Sequence, residues 1–394
     1  MKIAVIGGGA VGSAVAYDLA LRDDVEEIRV CDSRAHSLQV LRKLIDSPRL
    51  QPYQVDGRDT TLLAPIVEDC DCIVGCADPV INLKLAQLAL SVGTHFCDQG
   101  GSDYVSDKIL LLGDEAKEKG IWLIPDCGLA PGLVNILCLM GIEEFDEVEN
   151  AFIRVGDIPQ RPTPPFNFRV STSAEKIIED YSNPAVLIQD GALTSVNPLT
   201  GVEPIFFREP YGLLETFYSA VNMHSLSEHL EGQVRNLDLK TIRWPGHADQ
   251  WRFVLGLGFG EKQSIDLRTH LTYRDVLIRR LRRLLGDEQP DVVLVRIVIN
   301  GVLDGQKKTL VIQMIDAFND EEGLSAIRRS TSMPTATVAT LLGGGKLEGG
   351  GASPPELVLD KSAFIEQLIH RDLSIDKTWH DGWLLVTDTK EHML

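Results

Sequence analysis

Apolar and polar positions come in short alternating blocks through the first 140 residues. Lys2-Ile-Ala-Val-Ile6 is a β-branched run of the kind a buried strand carries, and it leads into Gly7-Gly8-Gly9-Ala10-Val11-Gly12 and the apolar, Ala-rich Ser13–Leu21. A second strand-like run, Glu27–Cys31, ends at Asp32. The same reading predicts strands near 2–6, 27–31, 51–55, 72–76, 94–98 and 121–125, and helices near 10–22, 34–46, 80–92, 104–119 and 132–141. Most strand ends meet Gly, Asp or Pro, as turns and helix entry require. Strand and helix in alternation predict an α/β doubly wound, mostly parallel sheet of the Rossmann type.

The pattern changes after about residue 145. Val148–Val155 and Phe168–Ser171 read as strands around the Pro-rich turn Pro159–Pro165. Asp291–Asn300 and Lys308–Asp316 alternate like a hairpin, with Asn300-Gly301 and Asp304-Gly305 as turn signals. Helix-like Thr335–Leu342, the Gly-rich Leu342–Gly351, helix-like Lys361–His370 and strand-like Trp383–Thr387 close the chain. The expected organisation is a dinucleotide-binding domain over 1–130, an inserted α+β substrate and oligomerisation domain with an antiparallel sheet over 131–335, and a segment over 336–394 that packs back on the first domain.

The glycines give the first block its chemistry. Gly7 permits the tight turn out of the strand, Gly9 lets the backbone approach a pyrophosphate, and Gly12 lets the helix pack closely on the sheet. Phosphates would sit at the helix N-terminus, where free N–H groups and the dipole favour anions. Asp32 would accept the ribose hydroxyls and repel a 2′-phosphate, which favours NAD over NADP. Arg34 either stacks on adenine or admits a 2′-phosphate. The candidate cofactor contacts are Gly7, Gly9, Ala10, Val11, Gly12, Asp32, Ser33, Arg34, Asp56, Cys76, Ala77, Asp78, Cys127 and Gly128. The bland alternative is a Gly-rich turn without a ligand and an acid at the surface.

At 394 residues the chain is long enough for two domains, and a formal charge of −19 argues against nucleic acid and against anionic membrane surfaces as partners. The start lacks the charge pattern of a signal peptide, and the most apolar window, Ile121–Ile142, contains Pro125, Asp126 and Pro131, so no membrane span is expected. The seven cysteines all precede residue 140; their odd number in an α/β domain fits reduced thiols and a cytoplasmic location. Cys70-x-Cys72-x3-Cys76 lacks the two-residue spacing of a zinc site and reads as a buried strand, so no metal is expected.

Ligands of a doubly wound sheet bind at the carboxyl ends of its strands. Cys76-Ala-Asp-Pro79, His95-Phe-Cys-Asp98-Gln-Gly-Gly101 and Pro125-Asp-Cys-Gly-Leu-Ala-Pro-Gly132 fall there, the last opening a helix that contains Asn135. Asp98 and Asp126 serve either chemistry or helix capping. Cys127, close to a helix start, is a candidate for a lowered thiol pKa or an inert buried thiol.

At these residues the chain resembles the saccharopine dehydrogenase-like superfamily and, within it, looks most like the lysine 6-dehydrogenases. The segments that carry the resemblance are GGGAVG, INLKLAQLAL with HFCDQGG, EAKEKG with IPDCGLAPGLVNIL, RVGDIPQRPTPPFN, RNLDLKTIRWPGH and PPELV, spread from residue 7 to residue 357. The resemblance implies a homodimeric or homotetrameric, NAD-dependent enzyme that oxidises the terminal amine of a small amino acid, L-lysine, to the semialdehyde with release of ammonia.

That chemistry needs a base to neutralise the amine before hydride leaves the carbon that bears it. Asp98 is the first candidate, His247 the second, and Cys127 a third catalytic candidate. Arg243 would hold a substrate carboxylate bidentately, with Asn135, Tyr218 and His224 as further substrate contacts. The competing readings are a rigid turn at Arg243-Trp-Pro-Gly-His247, and surface or capping roles for His224. Val221-Asn-Met-His-Ser225 stands where lysine 6-dehydrogenases carry a small Gly-Gly-Thr-Ser-Thr-like run, and Arg329-Ser-Thr-Ser-Met-Pro334 where Arg-Thr-Thr-Gly-Tyr-Pro is expected. If these segments line the pocket, the substrate differs from lysine in its amine end or length. The rival readings are a saccharopine or carboxynorspermidine reductase using NADPH and, from another class, a non-catalytic dinucleotide-binding sensor.

Overall fold

The computed structural model describes residues 1–170, 173–221, 223–266, 268–286 and 289–387. The first blocks become β1 (Lys2–Ile6), α1 (Ala10–Ala20), β2 (Glu27–Cys31), α2 (Ala35–Leu44), β3 (Leu50–Tyr53), α3 (Thr60–Val67), β4 (Cys72–Gly75), α4 (Asn82–Val92), β5 (His95–Asp98), α5 (Asp103–Leu110), α6 (Gly113–Glu118), β6 (Trp122–Ile124) and α7 (Leu133–Ile142). There follow β7 (Glu147–Pro159), α8 (Ala174–Asp180), β8 (Ala185–Gln189), β9 (Ala192–Val196), β10 (Glu203–Phe207), β11 (Gly212–Tyr218), α9 (His224–Leu230), β12 (Val234–Arg243), α10 (His247–Gly256), α11 (Tyr273–Leu285), β13 (Asp291–Leu303) and β14 (Gln306–Ala317). The chain closes with α12 (Ala326–Gly343), β15 (Gly351–Ala352), α13 (Pro355–Val358), α14 (Lys361–Ile369) and β16 (Ile375–Asp381).

Two compact units result. The first comprises Met1–Ile136 and Arg328–Leu373. Its sheet is parallel throughout, in the order β15-β6-β5-β4-β1-β2-β3, so the winding reverses between β1 and β4. Ile3, Ala4, Val5 and Ile6 of the central β1 are fully buried, as a strand covered on both faces requires. Arg22 ties α1 to α12 by donating to Thr337 (2.8 Å) and Thr340 (2.6 Å), and Arg371 donates to the same Thr337 hydroxyl at 2.9 Å. The expected helix over 104–119 is two, α5 and α6. The pattern did not predict α3, because Pro65 inside it reads as a helix breaker; Asp59 caps it by accepting the Leu62 N–H at 3.1 Å.

The second unit comprises Leu137–Ile327 and the chain from Ser374 onward. Its main sheet runs β10-β11-β12-β7-β13-β14-β16, with the β8–β9 hairpin attached to β12. The sheet is mixed rather than antiparallel, since β12 and β7 run parallel. The β13–β14 hairpin turns at Asp304-Gly305. Asn300-Gly301 does not turn; it forms an irregularity against β7, where a Cβ on Gly301 would stand 2.3 Å from the Glu147 carbonyl. That glycine serves close approach of two strands rather than a turn.

Two expected strands are absent. Phe168–Val170 pairs with no strand, and Ser171 lies outside the described residues. Trp383–Thr387 is irregular; the strand is the polar Ile375–Asp381 just before it, at the edge of the second sheet, so the closing segment over 336–394 divides between the units. Among the described residues no helix is long and apolar enough to cross a membrane.

Candidate active site

The switch between β1 and β4 is where the Gly-rich turn lies. Gly7 has a φ of +111°, and a Cβ there would meet the Cys76 carbonyl at 2.6 Å; a Cβ on Gly12 would stand 1.8 Å from the Gly7 oxygen. At Gly9 the nearest atom to such a Cβ is Arg34 Nη2 at 3.8 Å, so this position alone of the three faces open space. α1 starts directly behind it, and its first-turn N–H groups have no acceptor within the helix. The turn is thus a cradle that a side chain at Gly9 would fill, as a bound pyrophosphate requires.

Asp32 ends β2 beside this turn. Its Oδ2 accepts the Gly8 N–H at 2.9 Å and its Oδ1 the Arg34 N–H at 2.8 Å, and the Arg34 guanidinium leans on both oxygens at 3.3 and 3.4 Å. Burial pushes the Asp32 carboxyl up, but Arg34 and the two backbone donors outweigh it and hold it below the usual carboxylate range. Around the rim, the Ser33 carbonyl accepts from Gln54 at 3.3 Å, Asp56 accepts the Arg58 N–H at 2.9 Å, and Asp78 accepts the Val80 N–H at 3.1 Å behind Cys76 and Ala77.

Asp98 ends β5 and is only 1% exposed. Its Oδ1 accepts the N–H groups of Gly100 (2.7 Å) and Asp126 (3.0 Å). Burial pushes its carboxyl up to about 7, opposed by these donors and by the Asn82 amide. Neither Asp98 nor Asp126 caps a helix. Asp126 takes a left-handed φ of +64°, which turns its N–H toward Asp98. Asn135 donates to Glu356 at 3.2 Å, and both are buried.

Cys127 does not have the lowered pKa that a helix start would give. It sits six residues before the first residue of α7, its thiol faces the Ile124 carbonyl at 3.2 Å, and burial pushes it well above the ordinary thiol value. Its own carbonyl accepts from Thr335 at 3.0 Å, and a Cβ on the adjacent Gly128 would meet the Gln99 oxygen at 2.5 Å. All seven cysteines are buried and none forms a disulfide, and no group of three or more His, Cys, Asp or Glu is placed to hold a metal among the described residues.

In the second unit, Arg243 and His247 meet through Tyr181. Arg243 Nε donates to the Tyr181 hydroxyl (3.2 Å), that hydroxyl lies 3.1 Å from His247 Nε2, and His247 Nδ1 lies 3.0 Å from the Phe166 carbonyl. A carbonyl only accepts, so Nδ1 carries the proton and Nε2 accepts from Tyr181. Arg243 Nη1 also donates to the Asp157 carbonyl (3.1 Å) and pairs with its carboxylate (3.2 Å). Both ring nitrogens of His247 are therefore committed, and burial with Arg243 nearby pushes the imidazole down to about 3. An unfolded histidine gains its proton near pH 6.5, so this group costs the native state stability as pH falls from 6.5 toward 3. The His247 ring resonances should stay unshifted from about pH 8 to pH 5 in an NMR titration; a midpoint above about 6 would refute the neutral assignment.

Tyr218 and His224 go elsewhere. The Tyr218 hydroxyl donates to Asp238 (3.1 Å), inside a network in which Arg154 pairs with Asp238 (2.6 Å) and Glu203 (2.8 Å), and Lys240 with Glu203 (2.9 Å). His224 lies 3.2 Å from Glu228 one turn along α9, and Asn222 is outside the described residues. The motif Lys240–His247 folds as the end of β12, a turn with Gly246 at φ +88°, and the start of α10, capped by Glu215 accepting the Gly246 and Ala248 N–H groups at 2.7 and 2.8 Å. Sequence reading missed Asn82, Tyr181 and Asp157, whose partners are distant in the chain.

Comparison with known proteins gives these geometries a context. The family model described as saccharopine dehydrogenase C-terminal domain matches residues 128–373, and that described as saccharopine dehydrogenase NADP binding domain matches residues 3–124. Carboxyaminopropylagmatine dehydrogenase of Synechocystis sp. is 22% identical over 96% of this chain and 97% of its own length. Saccharopine dehydrogenase (NADP(+), L-glutamate-forming) of Pyricularia oryzae is 21% identical over 69% of this chain and 62% of its own length. The structure of apo saccharopine dehydrogenase (L-Glu forming) from Saccharomyces cerevisiae superposes with a TM-score of 0.80 at 16% identity, covering 96% of this chain and 99% of that one, which shows a shared fold.

Proposed function

The chain belongs to the saccharopine dehydrogenase family, and on that premise we propose that it is an NAD-dependent dehydrogenase acting at a carbon–nitrogen bond of an amino-acid derivative. The observation that carries this is Asp98: a buried carboxyl at a strand end of the dinucleotide-binding sheet, raised to about 7, suited to take a proton near neutral pH. A bound nicotinamide dinucleotide supplies the hydride acceptor. Gly7, Gly9, Gly12 and the first turn of α1 bind its pyrophosphate, and Asp32 its adenosine ribose. Asp98 takes the proton from the substrate nitrogen and frees the lone pair that assists departure of hydride from the neighbouring carbon.

The relatives named above favour a secondary amine, saccharopine or carboxyaminopropylagmatine, over the primary amine of lysine as the group oxidised. The lysine 6-dehydrogenase reading stays as the narrower alternative, resting on the motifs that carry that resemblance. A substrate panel followed by reduced-nicotinamide absorbance, with saccharopine, carboxyaminopropylagmatine and L-lysine, separates the two. Turnover of lysine alone would reverse the preference. Cofactor binding without turnover of any amine, in either direction, would favour the non-catalytic sensor.

Cofactor choice rests on Asp32. Its carboxylate is ionised, and Arg34 is engaged with it rather than free for a 2′-phosphate. NADH should bind at least about tenfold more tightly than NADPH in a fluorescence titration, and Asp32→Ala should weaken NADH while narrowing that ratio. A native preference for NADPH, which the name of the matching family model favours, would overturn the assignment.

A further inference from the structure

Asp98 and Asp126 lie at the ends of neighbouring strands, β5 and β6, and both are buried. Their surroundings are unequal. Asp98 accepts two backbone N–H groups and has the Asn82 side chain beside it. The Asp126 Oδ1 has no hydrogen-bond partner among the described residues. That oxygen lies over Gly100, where a Cβ would stand 2.6 Å from it, so the glycine makes room for this side chain. The other titratable groups that face the pair are Asp103 on α5, Glu356 on α13, and the thiols of Cys76, Cys97 and Cys127. None of these supplies a positive charge. Two buried carboxyls, one of them accepting the backbone N–H of the residue that carries the other, cannot both ionise without large cost, and the proton goes to the one with fewer donors.

We propose that Asp126 is a positioning residue held as a neutral carboxylic acid, whose protonated side chain and left-handed backbone leave the single negative charge of the pair on Asp98. Its catalytic consequence rests on the reading of Asp98 as the base. The backbone half is the Asp126 N–H bond to Asp98, which only a residue tolerant of φ +64° can make without strain. The side-chain half is the withheld charge: an ionised Asp126 would drive a proton onto Asp98 and remove the base.

Asp126→Asn tests this, because Asn tolerates the same backbone and copies a neutral acid. The native fold must keep a proton that the unfolded chain releases above about pH 4, so it loses stability as pH rises; the variant is spared that loss. Its melting temperature should match the native one near pH 4 and exceed it by several degrees at pH 8. In the infrared, the carbonyl band of a buried protonated carboxyl should be present in the native protein at pH 8, absent in Asp126→Asn and retained in Asp98→Asn. The acid limb of kcat/KM in the Asp126→Asn variant should stay within about 0.3 pH unit of the native one. Lower stability than native at pH 8, an unchanged infrared band, or an acid limb displaced by a full unit would each overturn the proposal. Asp126→Gly, which keeps the backbone, serves the melts and the pH profile if the Asn variant fails to fold. Full turnover in Asp98→Asn would remove the base assignment alone, since the melts and the infrared band still decide where the proton sits.

Discussion

Asp98→Asn should lower turnover by about 10²- to 10⁴-fold while leaving the dissociation constant for NAD within about threefold of native. Asn keeps an oxygen for the Gly100 and Asp126 N–H groups, so the ends of β5 and β6 stay in place. What is lost is basicity: an amide cannot take the substrate proton. The Gly-rich turn and Asp32 form their own contacts around α1 and β2, which is why cofactor affinity is insulated. In the native protein, log kcat/KM should rise with unit slope up to about pH 7 and then level, because burial holds the Asp98 proton until that point. A steady-state profile paired with a cofactor titration measures both halves. Turnover near the native level in the variant, or loss of cofactor binding in step with turnover, would remove Asp98 from the chemistry.

Arg243→Ala should cost about 3–5 kcal/mol of stability in urea denaturation. Arg243 is 8% exposed, and its removal takes one ion pair from Asp157 and the Nε donor from the Tyr181 hydroxyl. It also uncovers the Phe168 ring, 4.8 Å below it. Breaking a buried pair from one side is worse than deleting both partners, so Arg243→Met with Asp157→Leu should recover part of the loss. The expected role as a substrate carboxylate clamp predicts a different signature, a raised KM with little change in stability. A stability loss below about 1 kcal/mol with a large rise in KM would favour the clamp.

How much of this was legible in the sequence depended on how local the cause was. The β1–α1–β2 block was readable because its signal is contiguous, three glycines on one turn and one acid at the next strand end, even though what Gly7 makes room for is the distant Cys76 carbonyl. The family resemblance was readable for the same reason, in contiguous motifs. Helix α3 was hidden by Pro65, and Gly301 looked like a turn signal although its real constraint is Glu147 on another strand. β16 was overlooked because Ile375–Asp381 is mostly polar, as an exposed edge is allowed to be, whereas the apolar Trp383–Thr387 beside it drew the prediction. His247 was readable as a chemical residue but not as a committed one. Its partners, Tyr181 and Phe166, lie 66 and 81 residues away, and no spacing rule reaches that far. Asp126 carried two open readings, chemistry or helix capping; it caps no helix, and its N–H bond to Asp98 was not foreseen.

The first unit is assembled from two stretches, Met1–Ile136 and Arg328–Leu373, with most of the second unit between them, and that sets an order of events on the ribosome. β6 finds its outer neighbour only in Gly351-Ala352, and Arg22 finds its hydroxyl acceptors only at Thr337 and Thr340. At about 5–20 residues per second, the nascent sheet waits roughly 10–45 s with the flank of β6 bare while the intervening polypeptide is made. β6 is therefore made well before its outer neighbour, while most of the second unit is encoded between them and its edge strand β16 only after Gly351-Ala352.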